Sequence, residues 1–363
     1  EVYNSRLSVI NTIIKLLKDL YFKVLYFFNL PVIYPIFPTN KFQYDFVLNN
    51  GLVLGFKKYI CYIEYIGSLV NFNDKILNSR LSIKIIRRLL LSKRCKYVFF
   101  WSKAAKKILI NFFNIPNNKV SKFKTIYPTI EPKKVFAKEN KKTRLLFISS
   151  VAHFDKEFNF YMKGGKLILQ AFNELNSRLN NIKLTFIGYV PPKFKKTFKN
   201  NQNIEFFLKL PYDQILKLYE TSDIFLFPTY ADSFGFTFLE AMSYGLPIIC
   251  LNNNSAAPEL VINNKTGFVL ETSQEFLYFP FSKYCPDWIT KKKYYLNLRK
   301  KDDLVGLKNL IEKLEILIQN KELREKFGKS GRERIVNGKL SLEYRNKKLF
   351  KLFNDSYTDF RCS

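Results

Sequence analysis

Residues 228–247 run PTYADSFGFTFLEAMSYGLP. Ahead of them Ile224, Phe225, Leu226 and Phe227 form an apolar run ending at Pro228, the pattern of a buried strand meeting a turn. Asp232 and Ser233 fall in the loop, and Gly235 stands where a helix is expected to begin, over 236–244. The amides of Phe234 to Thr237 then lack backbone partners, and such a helix end attracts an anion, phosphate above all. Gly235 has no side chain to keep a ligand away. Glu240 follows Phe236 by four residues and shares its face of the helix. Asp232 and Glu240 therefore bracket a phosphate position. Carboxylates do not bind phosphate, so their natural targets are sugar hydroxyls on either side of it. That is the outline of a nucleotide-sugar.

The strand–helix alternation continues in both directions. Strands are expected at 145–149, 183–188, 204–207, 224–228, 247–251 and 267–270, and helices at 165–176, 212–221 and 236–244, a doubly wound α/β pattern. Upstream, helical spacing over 8–26, strands at 31–37, 44–48, 59–64 and 97–101, and helices at 79–91 and 102–113 predict a second unit of the same class, with Ser102 as a helix cap. Prolines and charges from Tyr127 to Lys142 mark a linker. Residues 279–303 read as irregular, and 308–318 and 321–353 as closing helices.

Composition narrows the chemistry. The chain has 363 residues, 47% of them hydrophobic, which excludes wholesale disorder. Sixty Lys plus Arg against 30 Asp plus Glu give a formal charge of +30. That excess suits nucleic acid, an anionic membrane or a phosphorylated ligand, and translation of an AT-rich genome would produce it equally well. The sole histidine, His153, excludes triads and zinc sites that need more than one. Five scattered cysteines without a C-x-x-C pair read as reduced thiols, which with the lack of a signal peptide points to the cytoplasm. The apolar stretch 20–37 is interrupted by Lys23, Pro31 and Pro35, so it reads as a helix end and a buried strand rather than a membrane span. The basic and aromatic tract 193–199 is expected on a solvated face, and nucleic acid is not an expected partner.

The stretch 232–247 resembles the carboxylate-x7-Glu motif of the retaining glycosyltransferases of family four, which have the GT-B fold. The likeness extends in order through LLFIS (145–149), KGGKLILQAF (163–172), LTFIG (184–188), YETSDIFLFPT (219–229) and APELV (257–261) followed by Gly267. The resemblance implies α/β architecture with two doubly wound Rossmann-like domains facing a cleft. Residues 1–135 would form the acceptor-side domain and 136–340 the nucleotide-sugar-binding domain, with 341–363 a helix packing back on the first.

The resemblance also implies roles. Glu240 would hold the ribose hydroxyls of the donor. Asp232, where the family usually has Glu, would contact the transferred sugar, and Lys163 the diphosphate; these two are the catalytic candidates. Ser233, Phe234, Gly235, Phe236 and Gly188 would complete the donor site. The family usually carries an arginine just after the opening strand; here Ser149 and Ser150 stand near that place, followed by a loop with His153 and Lys156, either of which could compensate. Glu64, ending a strand of the first domain, is a candidate for acceptor binding or for a structural salt bridge. The first strand and Gly-rich loop of the family are not visible, so either the sequence begins after them or the acceptor domain is reduced.

The implied reaction moves a sugar from a UDP- or GDP-sugar, used as substrate, to a glycan or lipid-linked acceptor. No cofactor is expected. No metal is expected either: there is no Asp-x-Asp, and a helix N-terminus with Lys163 can do that electrostatic work. Basic runs at 57–58, 87–96 and 103–107 put charge on the acceptor side, which favours peripheral contact with an anionic membrane. The alternative is a non-catalytic GT-B-fold protein that binds a nucleotide-sugar or an anionic polymer. Hydrolysis of an intact glycan is disfavoured, since it needs an acid pair flanking the bond.

Overall fold

Parallel strands covered by helices on both faces are apolar along their whole length instead of alternating. The strands Ile224–Phe227 and Ile248–Leu251 are of this kind, every residue buried. The computed structural model describes residues 58–70, 73, 75–135, 140–150, 155–253, 255–277 and 288–361, with short runs between 16 and 54. These residues group into two units. The first takes the chain up to Phe100, then Lys106–Thr125, and the described Trp288. The second takes Trp101–Ala105, the described residues from Ile126 through 277, and those from Ile289 on.

In the first unit β1 (Ile33–Pro35) and β3 (Leu52–Leu54) form a two-stranded parallel sheet. Strands β2 (Phe46–Asn49), β4 (Lys58–Ile63), β5 (Cys95–Phe100) and β6 (Phe123–Thr125) form a four-stranded parallel sheet in the order β2-β4-β5-β6. The helix Arg80–Leu91 starts as its sequence requires: the Ser79 hydroxyl accepts from the Ser82 amide at 3.3 Å. The strand β3 is a departure from the sequence reading, which ran from 44–48 directly to 59–64.

In the second unit six parallel strands are ordered β12-β11-β10-β7-β8-β9: β7 (Thr143–Ile148), β8 (Ile182–Ile187), β9 (Ile204–Phe207), β10 (Ile224–Phe227), β11 (Ile248–Leu251) and β12 (Gly267–Leu270). Registers such as Leu145↔Ile224 and Leu145↔Leu184 place β7 between β10 and β8. Counted within this sheet the order is the doubly wound 3-2-1-4-5-6. Its direction of winding reverses at β7 and β10, so a crevice opens beyond their carboxyl ends, where such folds take ligands. Phe147, Phe172, Phe186, Phe225, Phe238 and Leu310 lie in the core around this sheet.

Three stretches differ from the sequence reading. The loop expected to carry Lys156 contains a helix, Lys156–Met162, capped by Asp155 accepting from the Phe158 amide at 2.8 Å. The stretch read as irregular includes a helix, Trp288–Lys300, whose lack of an amphipathic pattern hid it. The single helix expected over 321–353 is two, Lys321–Val336 and Leu342–Arg361, separated where Gly338 would, with a Cβ, come within 2.7 Å of Arg334 Cα. Cys61, Cys95 and Cys250 are buried free thiols, while Cys285 and Cys362 lie outside the described residues.

Candidate functional site

The crevice at the switch point is built by two strand ends. β10 stops at Phe227, and the loop from Pro228 leads to the helix Phe236–Ser243, whose N-cap is Gly235. Gly235 has φ +83°, in the left-handed region that side chains disfavour, and a Cβ there would lie 2.5 Å from the Phe238 ring. The glycine is thus needed by the turn itself. On the β7 side the helix Lys156–Met162 ends at Lys163, and Gly164 (φ +79°) starts the next helix, Gly165–Arg178. A Cβ on Gly164 would meet the Pro228 carbonyl oxygen at 2.2 Å, so the two loops approach each other only because this position is bare.

This approach brings Lys163 onto Asp232. The ammonium lies 3.2 Å from Asp232 Oδ2 and donates to the Ala231 carbonyl at 3.1 Å, with side chains only 10% and 14% exposed. It also sits 5.6 Å from the centre of the Phe227 ring. Asp232 Oδ1 accepts from the Ser233 amide at 2.8 Å, which turns that amide toward its neighbour's carboxylate. Phe234 is fully buried, with its ring edge-on to Trp101 at 6.0 Å, so what it can offer a ligand is its backbone. Phe236 is exposed at the first helical position and packs on both Trp101 (5.7 Å) and Phe234 (5.4 Å).

Glu240 lies one turn further along. Its Oε1 accepts from Tyr212 at 3.2 Å and its Oε2 from Tyr219 at 3.0 Å. Burial raises the Glu240 carboxyl above the usual carboxylate range, and the two hydroxyls and Lys133 draw it partly back. Burial and the neighbouring carboxylate likewise raise Tyr219 and Tyr212, so both phenols stay protonated donors.

Of the remaining candidates, Gly188 follows β8 with φ +145°; its amide donates to the Phe207 carbonyl at 2.8 Å, and a Cβ would come 3.2 Å from Ser149 Cβ. Ser149 and Ser150 are tied to the buried Asn159, whose amide donates to the Ser149 hydroxyl at 3.0 Å and to the Ser150 carbonyl. Lys156 is exposed at the start of its helix, two turns before Lys163. Glu64 follows β4 in the first unit, half-buried. His153 lies outside the described residues.

Sequence reasoning missed Tyr212 and Tyr219, and also Asn253. The buried Asn253 donates to the Thr229 carbonyl at 2.6 Å while its Oδ1 accepts from the Ser255 amide (3.0 Å) and hydroxyl (2.6 Å), fixing the loop that carries Asp232. An Asn two residues before Ser after a strand is an Asx-turn signal that could have found it. Among the described residues no group of three or more His, Cys, Asp or Glu could hold a metal ion.

The parallel sheets are those of an α/β fold, and the solved structures similar to this chain share the GT-B fold. Sucrose-phosphate synthase from Thermosynechococcus elongatus aligns with a TM-score of 0.59 at 13% identity, covering 88% of this chain and 75% of that one. WaaG, a glycosyltransferase involved in lipopolysaccharide biosynthesis, aligns at 0.53 and 16% identity, covering 84% and 77%. Residues 132–277 match the family model of the glycosyl transferases group 1. CapM of Staphylococcus aureus, a capsular polysaccharide biosynthesis glycosyltransferase, is 26% identical over 179 residues, 48% of this chain and 38% of that protein. A GDP-Man:Man(3)GlcNAc(2)-PP-Dol alpha-1,2-mannosyltransferase of Dictyostelium discoideum is 25% identical over 174 residues, 44% of this chain and 33% of that protein. The matched segments thus span between 33% and 38% of these two relatives.

Proposed function

We propose that this chain transfers a sugar from a nucleotide-diphosphate donor to a glycan or lipid-linked acceptor, with retention of anomeric configuration and without a metal. The observation that carries the reading is the Lys163–Asp232 pair, 3.2 Å apart beside the Phe236–Ser243 helix start. The site offers a cation and unpaired helix amides for a diphosphate, one carboxylate for the sugar beside it, and a second, Glu240, for the ribose. Relatives named for capsular polysaccharide and dolichol-linked mannosyl transfer support the acceptor class, and a TarM mutant crystallised with UDP supports the donor class.

In the proposed step the bond between the anomeric carbon and the phosphate oxygen breaks, and the acceptor hydroxyl oxygen bonds to the same face of that carbon. The hydroxyl proton passes to a phosphate oxygen of the leaving diphosphate. Lys163 and the amides of Gly235 and Phe236 stabilise the charge that gathers on that group, where fixed donors need no reorganisation. Asp232 holds sugar hydroxyls and meanwhile keeps the ammonium in place.

The reading is tested by supplying UDP- and GDP-sugars with lipid or glycan acceptors and measuring nucleotide release. Turnover that falls sharply in Glu240→Ala and Lys163→Ala is the expected result. A wild type that binds nucleotide-sugars yet turns over none of them favours the non-catalytic alternative.

The proposed partners include an anionic lipid surface on the acceptor side. In the first unit Lys84, Arg87, Arg88 and Lys93 line one groove along the helix Arg80–Leu91, a cluster suited to lipid phosphates. No helix among the described residues is long and apolar enough to cross a membrane. Sedimentation with phosphatidylglycerol vesicles but not with phosphatidylcholine vesicles is the expected outcome, and equal recovery with both removes the membrane from the proposal.

A further inference from the structure

Glu240 is held by two neutral hydroxyls and, among the described residues, has no cation within salt-bridge distance. Both come from the helix Tyr212–Thr221, which packs beside it. Tyr219 is fully buried, its ring stacked on Tyr244 with centroids 5.8 Å apart and planes 7° from parallel, so its hydroxyl has a fixed direction. Tyr212 is 57% exposed and reaches the other carboxylate oxygen from the solvent side.

An ionised carboxylate has about four lone-pair positions, two on each oxygen. The tyrosines occupy one on each, which leaves one on each. Two free acceptor positions on neighbouring oxygens match two neighbouring hydroxyls on a five-membered ring. We infer that Tyr219 and Tyr212 are positioning residues that orient the Glu240 carboxylate for a vicinal diol, and so make the site selective for ribonucleotides over deoxyribonucleotides. The inference rests on the proposal that the crevice binds a nucleotide donor.

Neutral holders suit this task. A lysine or arginine in their place would compete with the ligand for the carboxylate, whereas a hydroxyl orients it and leaves its charge available. Removing the Tyr219 hydroxyl would leave Oε2 without its buried donor and the carboxylate free to turn. It would also remove one of the groups that lowers the Glu240 carboxyl, leaving burial opposed by Tyr212 and Lys133, with Tyr244 the other phenol facing this region.

The experiment measures binding of UDP, GDP and ADP by calorimetry, then of the 2′-deoxy and 3′-deoxy forms of whichever binds best. The proteins are wild type, Tyr219→Phe and Tyr212→Phe. Wild type is expected to prefer the ribo form by about tenfold or more over each deoxy form, as a hydrogen bond to a charged group implies. Tyr219→Phe is expected to shrink that preference to below about threefold, and Tyr212→Phe to reduce it by a smaller factor. The preference is a ratio within one protein, so it does not depend on how much of a variant is folded. A second readout is the acid limb of binding, expected to move to higher pH in Tyr219→Phe because the carboxyl protonates sooner. If wild type discriminates and both variants discriminate equally well with unchanged acid limbs, the positioning role is overturned and the donor reading stands. If wild type binds none of the three diphosphates, the donor reading itself falls and takes the positioning role with it.

Discussion

The two carboxylates of the crevice are treated in opposite ways. Asp232 sits against an ammonium 3.2 Å away, so its charge is largely neutralised before any ligand arrives. Glu240, eight residues later, accepts from two tyrosine hydroxyls, has no cation within salt-bridge distance among the described residues, and is raised by burial against the opposing pull of those hydroxyls and Lys133. On the proposed function the difference separates two tasks. Where charge must develop during a reaction, a cation and an anion are kept together and ready to share a ligand. Where a neutral diol must be recognised, the carboxylate is kept oriented and its charge unshared.

The largest expected effect breaks the first arrangement. Lys163→Ala should lower kcat/KM for donor turnover by about 10²–10³-fold, the scale of losing one preorganised donor at a developing charge. A loss under about tenfold would mean that Lys163 only balances Asp232.

Glu240→Gln attacks the second arrangement and should weaken nucleoside diphosphate binding by about ten- to a hundredfold in calorimetry. The same variant tests the burial argument through stability. A carboxyl raised in the folded state adds stability below its unfolded pKa, and that contribution is lost as pH rises through the folded pKa. At pH 7–8 the charged, buried form is therefore a burden, and Glu240→Gln should melt no lower than wild type. Any advantage should vanish as pH falls toward about 4, where wild type carries a protonated acid. A variant that melts well below wild type at neutral pH would show that the tyrosine bonds outweigh desolvation.

A smaller effect concerns the loop under Asp232. Asn253→Ala leaves the Thr229 carbonyl and Ser255 without their buried partner, which should lower unfolding free energy by about 1–3 kcal/mol in denaturant titration. The smallest concerns Lys156, exposed at its helix start: Lys156→Ala should change turnover by less than about twofold. A larger drop would make Lys156 the replacement for the arginine that the stretch from Leu145 to Lys163 lacks.

Much of the second unit was legible because its signals are local. Apolar runs of four to six residues, a glycine at each sharp turn and prolines after strands are short-range features, and β7 to β12 fall where they indicated. Asp232 and Glu240 stood out as candidates through the local strand–loop–helix pattern around Gly235, whereas Lys163 came forward through the family resemblance. The first unit was less legible: β1 and β3 are three residues each and pair with one another across intervening chain, which no local period announces. The helices Lys156–Met162 and Trp288–Lys300 escaped because one is short and the other lacks a clear apolar stripe.

By itself the sequence determined the strand–loop–helix units, the glycines that bare the loops and the identity of the charged groups, because backbone preference and hydrophobic period act over a few residues. Only the tertiary structure decided which groups meet. Lys163 reaches Asp232 across 69 positions because Gly164 lets its loop press against Pro228. Tyr212 and Tyr219 reach Glu240 because their helix packs beside the Phe236–Ser243 helix, and pairings between separate helices follow from packing, on which no local spacing bears.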